Sequence, residues 1–199
     1  VYPFTDSQIL GISTFPYSLK DFFLEGTQQV SASWITLENL SFPYCISINS
    51  SYIYEQSTDE RINQNDAAIT LAHELGHYLG LRHVFSEGGT TSMCTDTDYC
   101  KDTPSYNRSE YEQWLNNLDK QNKYQLKDLA KRYSCEKGEY EAHNIMDYAY
   151  CFYNEITLEQ RKRIRHILNY SPLIPGPKES RIDTRGVQDR LNLPICIMK

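Results

Sequence analysis

Apolar and polar positions first follow the period of strands and then switch to the period of helices. Ile9 to Phe15 (ILGISTF) and Tyr44 to Tyr54 (YCISINSSYIY) are rich in β-branched and aromatic residues and read as strands. In the second, Ile46, Ile48 and Ser50 alternate with Ser47, Asn49 and Ser51, the pattern of a half-buried strand. From Ile62 to Leu81 the chain reads as one long helix. Asn65 or Asp66 is placed to cap it, Ala67, Ala68 and Ala72 favour it, and Gly80 ends it. Ser86 to Pro104 is a polar loop carrying Glu87, Asp96, Asp98 and Asp102. In the charged stretch from Ser109 to Tyr133, Tyr111, Leu115, Leu118, Leu126, Leu129 and Tyr133 recur at helical spacing, which predicts one or two surface helices. Thr157-Leu158-Glu159-Gln160 is a capping box that opens a helix to about Leu168, with Ile164, Ile167 and Leu168 on its apolar side. Pro172, Pro175 and Pro177 then stop regular structure, and residues 178–199 read as a C-terminal tail. The expected fold class is α+β.

Composition narrows the picture. A chain of 199 residues supports one real core, arranged as two lobes around a cleft. Its net charge of −6 argues against a nucleic-acid partner, which would call for a basic face. No run of about 18 apolar residues occurs, so no transmembrane segment is expected. The chain opens at Val1-Tyr2-Pro3 without an initiator methionine and reads as a processed or trimmed form. Its six cysteines, at 45, 94, 100, 135, 151 and 196, include no C-x-x-C pair. That usage suggests disulfides and an oxidising compartment, hence a secreted, extracellular, cell-surface or periplasmic protein; the alternative is buried free thiols in a cytosolic one. Six cysteines allow fifteen pairings, so connectivity stays open. Asn39, Asn49 and Asn107 each begin an Asn-x-Ser sequon. A monomer is expected.

Candidate chemistry concentrates in His73-Glu74-Leu75-Gly76-His77-Tyr78-Leu79-Gly80-Leu81-Arg82-His83. On a helix, His73 and His77 project from one face, one turn apart, and can reach one zinc ion. Gly80 allows the left-handed backbone that turns the chain and brings His83 round as third ligand. Three protein ligands leave a fourth position for water, the pattern of a catalytic zinc site. Glu74 is then placed to act as general base on a zinc-bound water. Three of the chain's five histidines fall in these eleven residues, far more than one satisfied core histidine explains.

Downstream stands Asn144-Ile145-Met146-Asp147-Tyr148. Together with the extended histidine motif it resembles the metzincin metallopeptidases, in which a methionine turn supports the zinc histidines from below. The resemblance makes Met146 that soft apolar floor and Tyr148 a hydroxyl donor to the oxyanion. Further features are Asp98-Tyr99-Cys100-Lys101-Asp102-Thr103-Pro104, Cys151 soon after the methionine turn, and Ile156-Thr157-x-x-Gln160-x-x-Arg163. With these, the chain over about residues 66–170 resembles the pappalysin family of metzincins, of bacterial type.

That resemblance implies a two-lobed catalytic domain over 1–177, with an upper lobe at 1–80 and a lower, irregular and helical lobe at 81–177. A mixed sheet and the active-site helix would lie above the cleft. The upper lobe is short for the family, so its first strands and a backing helix are expected to be missing, cleaved or reduced. The resemblance further implies an endopeptidase for protein or peptide substrates, bound extended against an edge strand, for which Tyr44–Tyr54 is the candidate. It implies structural calcium near Asp98, Asp102 and Thr103. Cys94 and Cys151 match the outer positions of the family's disulfides and Cys135 one inner position, while the partner of Cys100 stays open. The rival reading is a latent or non-catalytic module that keeps the zinc-binding fold; the intact Glu74 weighs against it, the short upper lobe for it.

Overall fold

The computed structural model describes residues 1–36, 38–40, 44–58, 61–86, 98–119, 121–134, 136 and 138–174. Its elements are small: strands β1 (Gly11–Ser13), β2 (Tyr17–Leu19), β3 (Gln28–Val30) and β4 (Ile46–Ile48), helices α1 (Ala67–Tyr78), α2 (Arg108–Asn116) and α3 (Leu126–Leu129), strands β5 (Lys131–Ser134) and β6 (Gly138–Glu141), and helix α4 (Leu158–Tyr170). Helices and small sheets mix along the chain, as an α+β protein requires. The expected mixed sheet is not formed among the described residues. Instead there are three two-stranded ladders: β1 with β4 antiparallel, β2 with β3 parallel, β5 with β6 antiparallel. Among the described residues no helix is long and apolar enough to cross a membrane.

Helix α1 begins later than the periodicity suggests. Asp66 accepts hydrogen bonds from the backbone N–H groups of Ala68 and Ile69, at 2.8 and 3.1 Å, and so sets the first turn. Upstream, Asn63 is held by side-chain bonds to Glu55 and Gln56, local alternatives that compete with helix. At the other end Gly80, at φ +87°, closes a Schellman turn: Leu81 N–H reaches the Gly76 carbonyl and Gly80 N–H that of His77. A Cβ at Gly80 would also lie 2.7 Å from Ile167 of α4, so packing as well as φ demands glycine here. Strands β1 and β4 both pack on α1.

The strand expected over Tyr44–Tyr54 shrinks to Ile46–Ile48. Asn49 is fully buried, donates to the Ile9 carbonyl and accepts from Ser51 N–H, which turns the chain into a 3₁₀ segment at Ser50–Tyr52. Ser47 and Ile48 are both buried, so the alternation read from sequence does not divide a wet face from a dry one. The stretch from Ser109 to Tyr133 yields α2 and the single turn α3, but its end is strand. Tyr133 lies on β5 and is exposed, because β5 turns back on itself into the β5–β6 hairpin, where Gly138 sits at φ +78°. Helix α4 opens on its capping box as expected and runs to Tyr170. Its buried residues are Gln160, Arg163 and Ile167, whereas Leu168 is exposed. The tail at 178–199 lies outside the described residues.

Two small cores flank the histidine motif. Leu81, Val84 and Met146 form one, with Ile145 and Ile164 against it. Phe85, Tyr106 and Tyr111 form the other, with Leu115 and Tyr140 against it.

Candidate metal centre

The structure gathers the three motif histidines at the end of α1. Nε2 of His83 lies 3.2 Å from Nε2 of His73 and 3.0 Å from Nε2 of His77. Ligands about 2.0–2.1 Å from a tetrahedral zinc stand about 3.3 Å apart, close to these separations. His73 Nδ1 donates to the Ile145 carbonyl at 2.8 Å and His77 Nδ1 to the Leu81 carbonyl at 2.9 Å. A carbonyl only accepts, so both rings carry their proton on Nδ1 and turn an Nε2 lone pair inward. Burial, and then His77 and His83, push His73 down to about 3, so its imidazole is neutral. One N–H on His83 can answer only one of two facing lone pairs. The set therefore has the electron donors of a cation site, and it is the one cluster of potential ligands found among the described residues.

Sequence spacing explains the first two ligands, and packing supplies the third. After the Gly80 turn, Val84 N–H bonds the Met146 carbonyl and Ser86 N–H that of Tyr106, which lays 83–86 along the lower segment. His83 stacks on Phe85 at 4.7 Å between centroids, and Arg163 holds the turn by donating to the Gly80 carbonyl.

Glu74 follows His73 on α1 and is also buried, at 8% exposure. Burial pushes its carboxyl up to about 7. Strand β1 crosses directly above it: a Cβ on Gly11 would lie 2.7 Å from Glu74 Cγ.

Met146 is fully buried beneath α1, where Gly76 leaves room for its thioether. The turn around it is held by side-chain amides. Asn144 and Gln160 exchange two hydrogen bonds, at 2.8 and 3.1 Å, and Asn144 also accepts from Met146 N–H. Tyr148 packs its ring on His83 and His73, at 4.4 and 5.4 Å between centroids, and is 37% exposed.

Asp98 and Thr103 meet within one loop, and Asp102 turns to the start of α4. Asp98 accepts from Cys100 N–H and the Thr103 hydroxyl, closing its own loop. Asp102 points to the start of α4, where it accepts from the Thr157 hydroxyl and Glu159 N–H at 2.8 and 2.9 Å. These carboxylates bond within the loop and to a helix terminus, and nothing in their arrangement adds support to the calcium expectation. Cys45, Cys100 and Cys151 are free thiols. Cys151 bonds the Asn144 carbonyl rather than a second sulfur; Cys94, Cys135 and Cys196 lie outside the described residues.

Sequence reading missed Arg132, Asp147 and Tyr106, a buried polar group behind the methionine turn. Tyr106 donates to Asp147 at 2.5 Å, and Arg132 Nε lies 3.4 Å from the other carboxylate oxygen. Asp147 had a signal, its place in the turn motif; Arg132 had none, since the acid that pairs with it is 15 residues away in sequence.

A sequence profile of the pregnancy-associated plasma protein-A peptidase family matches residues 34–169. Extracellular metalloproteases of Arthroderma benhamiae and Trichophyton verrucosum are each 37% identical over 108 residues, 53% of this chain and 32% of theirs. One from Arthroderma otae is 37% identical over 108 residues, 53% of this chain and 33% of its own. The matched region thus spans about a third of the length of these curated relatives. No solved structure matches.

Proposed function

Because the chain belongs to the pregnancy-associated plasma protein-A family of peptidases, we propose that it is a secreted zinc endopeptidase acting on protein or peptide substrates. The observation that carries the proposal is the convergence of His73, His77 and His83 on one point, with two Nε2 lone pairs fixed inward by carbonyls on Nδ1. In this reading residues 1–177 are a catalytic domain, with an upper lobe at 1–80 and a lower lobe at 81–177 facing across the cleft. The three imidazoles would hold zinc, which supplies a Lewis acid and lowers the pKa of a water. The Glu74 carboxylate accepts a proton from the attacking water and returns it to the leaving amine. The Tyr148 hydroxyl donates to the carbonyl oxygen as it gains charge. Secretion fits relatives that are extracellular metalloproteases.

The substrate strand moves from Tyr44–Tyr54 to β1. No second strand covers the outer edge of β1 among the described residues, and β1 runs over Glu74. Beside it, Ser13, Thr14, Phe15, His77 and Arg82 line a cleft of about 510 Å³. An extended peptide can add its backbone hydrogen bonds along such an edge.

The test is digestion of a proteome-derived peptide mixture, with cut sites read by mass spectrometry, with and without chelator and with Glu74→Ala alongside. Cleavage that disappears in both controls is expected. No cleavage by a chain holding one zinc would replace the proposal with a latent or non-catalytic zinc-binding module.

A further inference from the structure

We propose that Arg132 is the positioning residue that holds Tyr148 against the histidine cluster, by clamping the main chain of residues 147–149 from behind. The inference rests on the endopeptidase reading above. Arg132 comes from β5, far in sequence from both halves of the site, and its side chain is 0% exposed, as Asp147's is 1%. Its guanidinium is spent almost wholly on main chain. Nη2 donates to the carbonyls of Tyr148 and Ala149 at 3.1 and 2.7 Å, and Nη1 to those of Leu129 and Lys131 at 3.0 and 3.2 Å. Nε faces Asp147 at 3.4 Å. Asp147 in turn accepts from Tyr148 N–H at 2.7 Å, so one ion pair grips Tyr148 by its N–H and its carbonyl together. The guanidinium plane lies over Tyr111, 3.7 Å from the ring centroid, which fixes the direction of the fork.

Two observations say why a clamp is needed. Ala149 and Tyr150 stand at φ +40° and +47°, a left-handed backbone that residues with a Cβ rarely adopt and that needs external hold. Tyr148 itself is 37% exposed, and its ring rests on His83, His73, Phe85 and Arg108, so its seat depends on where the main chain delivers it. A buried ion pair is a poor way to gain stability, since a well-packed apolar set serves as well or better. Its worth here is geometric: it selects one path for the chain through 147–149. Gln64 holds the far side, accepting from Tyr150 N–H at 2.5 Å and from the Tyr153 hydroxyl at 2.9 Å.

The test is a double-mutant cycle on the zinc-loaded chain with Arg132→Lys and Tyr148→Phe, read on a peptide that the wild type cleaves. Lysine keeps the charge and loses the fork. Arg132→Lys is expected to lower kcat on the order of 10- to 100-fold with KM and bound zinc unchanged. In the Tyr148→Phe background the same substitution is expected to cost nothing further, because the hydroxyl it positions is gone. A loss of equal size in both backgrounds, or no loss in the single variant, overturns the proposal. Should Arg132→Lys not fold, Tyr106→Phe loosens Asp147 instead and must show the same dependence on Tyr148, at smaller size. Hydrogen exchange gives a readout that needs no activity: the amides of Tyr148 and Tyr150 should lose protection in Arg132→Lys while those of α1 keep theirs. Unchanged protection refutes the clamp even for a chain that cleaves nothing, whereas a wild type without activity refutes only the endopeptidase reading.

Discussion

Gly76 and Met146 meet with no space for a Cβ between them. One built on the glycine would overlap the methionine sulfur, lie 3.2 Å from its methyl and 3.5 Å from Leu81 Cδ1. Glycine inside a helix costs about 0.5–1 kcal/mol relative to alanine. Here that cost lets the helix bearing His73 and His77 rest directly on the methionine turn.

Gly76→Ala should therefore destabilise the protein although alanine favours helix. Overpacking a full core costs about 1–3 kcal/mol, more than the helix propensity returns, and Met146 has no exposed path to retreat along. A fall in Tm is expected, together with weaker zinc binding as the floor shifts. A higher Tm would show that the thioether moves aside freely.

His83→Ala should lower zinc affinity by more than about 100-fold, beyond the loss usual for an outer hydrogen-bond partner. Competition with a chromophoric chelator measures it. Affinity equal to wild type would remove His83 from the ligand set. His143 and His166 are useful controls, since they bond Asn154 and the Phe22 carbonyl away from the site.

Asp66→Ala should cost about 1 kcal/mol at neutral pH, the usual worth of a helix N-cap. Burial raises the Asp66 carboxyl, but hydrogen bonds from Ser57, Ile69 and Ala68 outweigh it and hold the pKa below 3.8. A lowered folded-state pKa gives stability that is present above the unfolded value and lost as pH falls through the folded one. The Tm gap between wild type and variant should therefore be full at pH 6 to 7 and close below about pH 4. A gap that persists in strong acid would assign the effect to packing.

Asp102→Ala should destabilise the protein by about 1 kcal/mol, read as a lower Tm, through loss of its bonds to Thr157 and Glu159 at the start of α4, and added calcium should leave the wild-type Tm unmoved. A rise with calcium that Asp102→Ala abolishes would instead support a calcium site in that loop.

What the sequence by itself determined is what depends on neighbours along the chain. Spacing four apart on one helix aligned His73 with His77, and a left-handed glycine at Gly80 marked where α1 must end. Thr157 and Gln160 announced the start of α4 because a capping box closes within four residues. Short-range hydrogen bonds and periodicity carry such information locally. Tertiary structure alone decided the rest. Whether Tyr44–Tyr54 was long strand depended on Asn49 reaching Ile9, and whether Tyr133 was helix or strand depended on the β5–β6 pairing. The partners of Asp98 and Asp102, a threonine hydroxyl in the loop and a backbone N–H at the start of α4, also appear only in the fold. Arg132 carried no local mark at all. Its meaning lies in Tyr148 and Ala149, 16 and 17 residues away, and a buried charge declares its role only once the groups that neutralise it are in place.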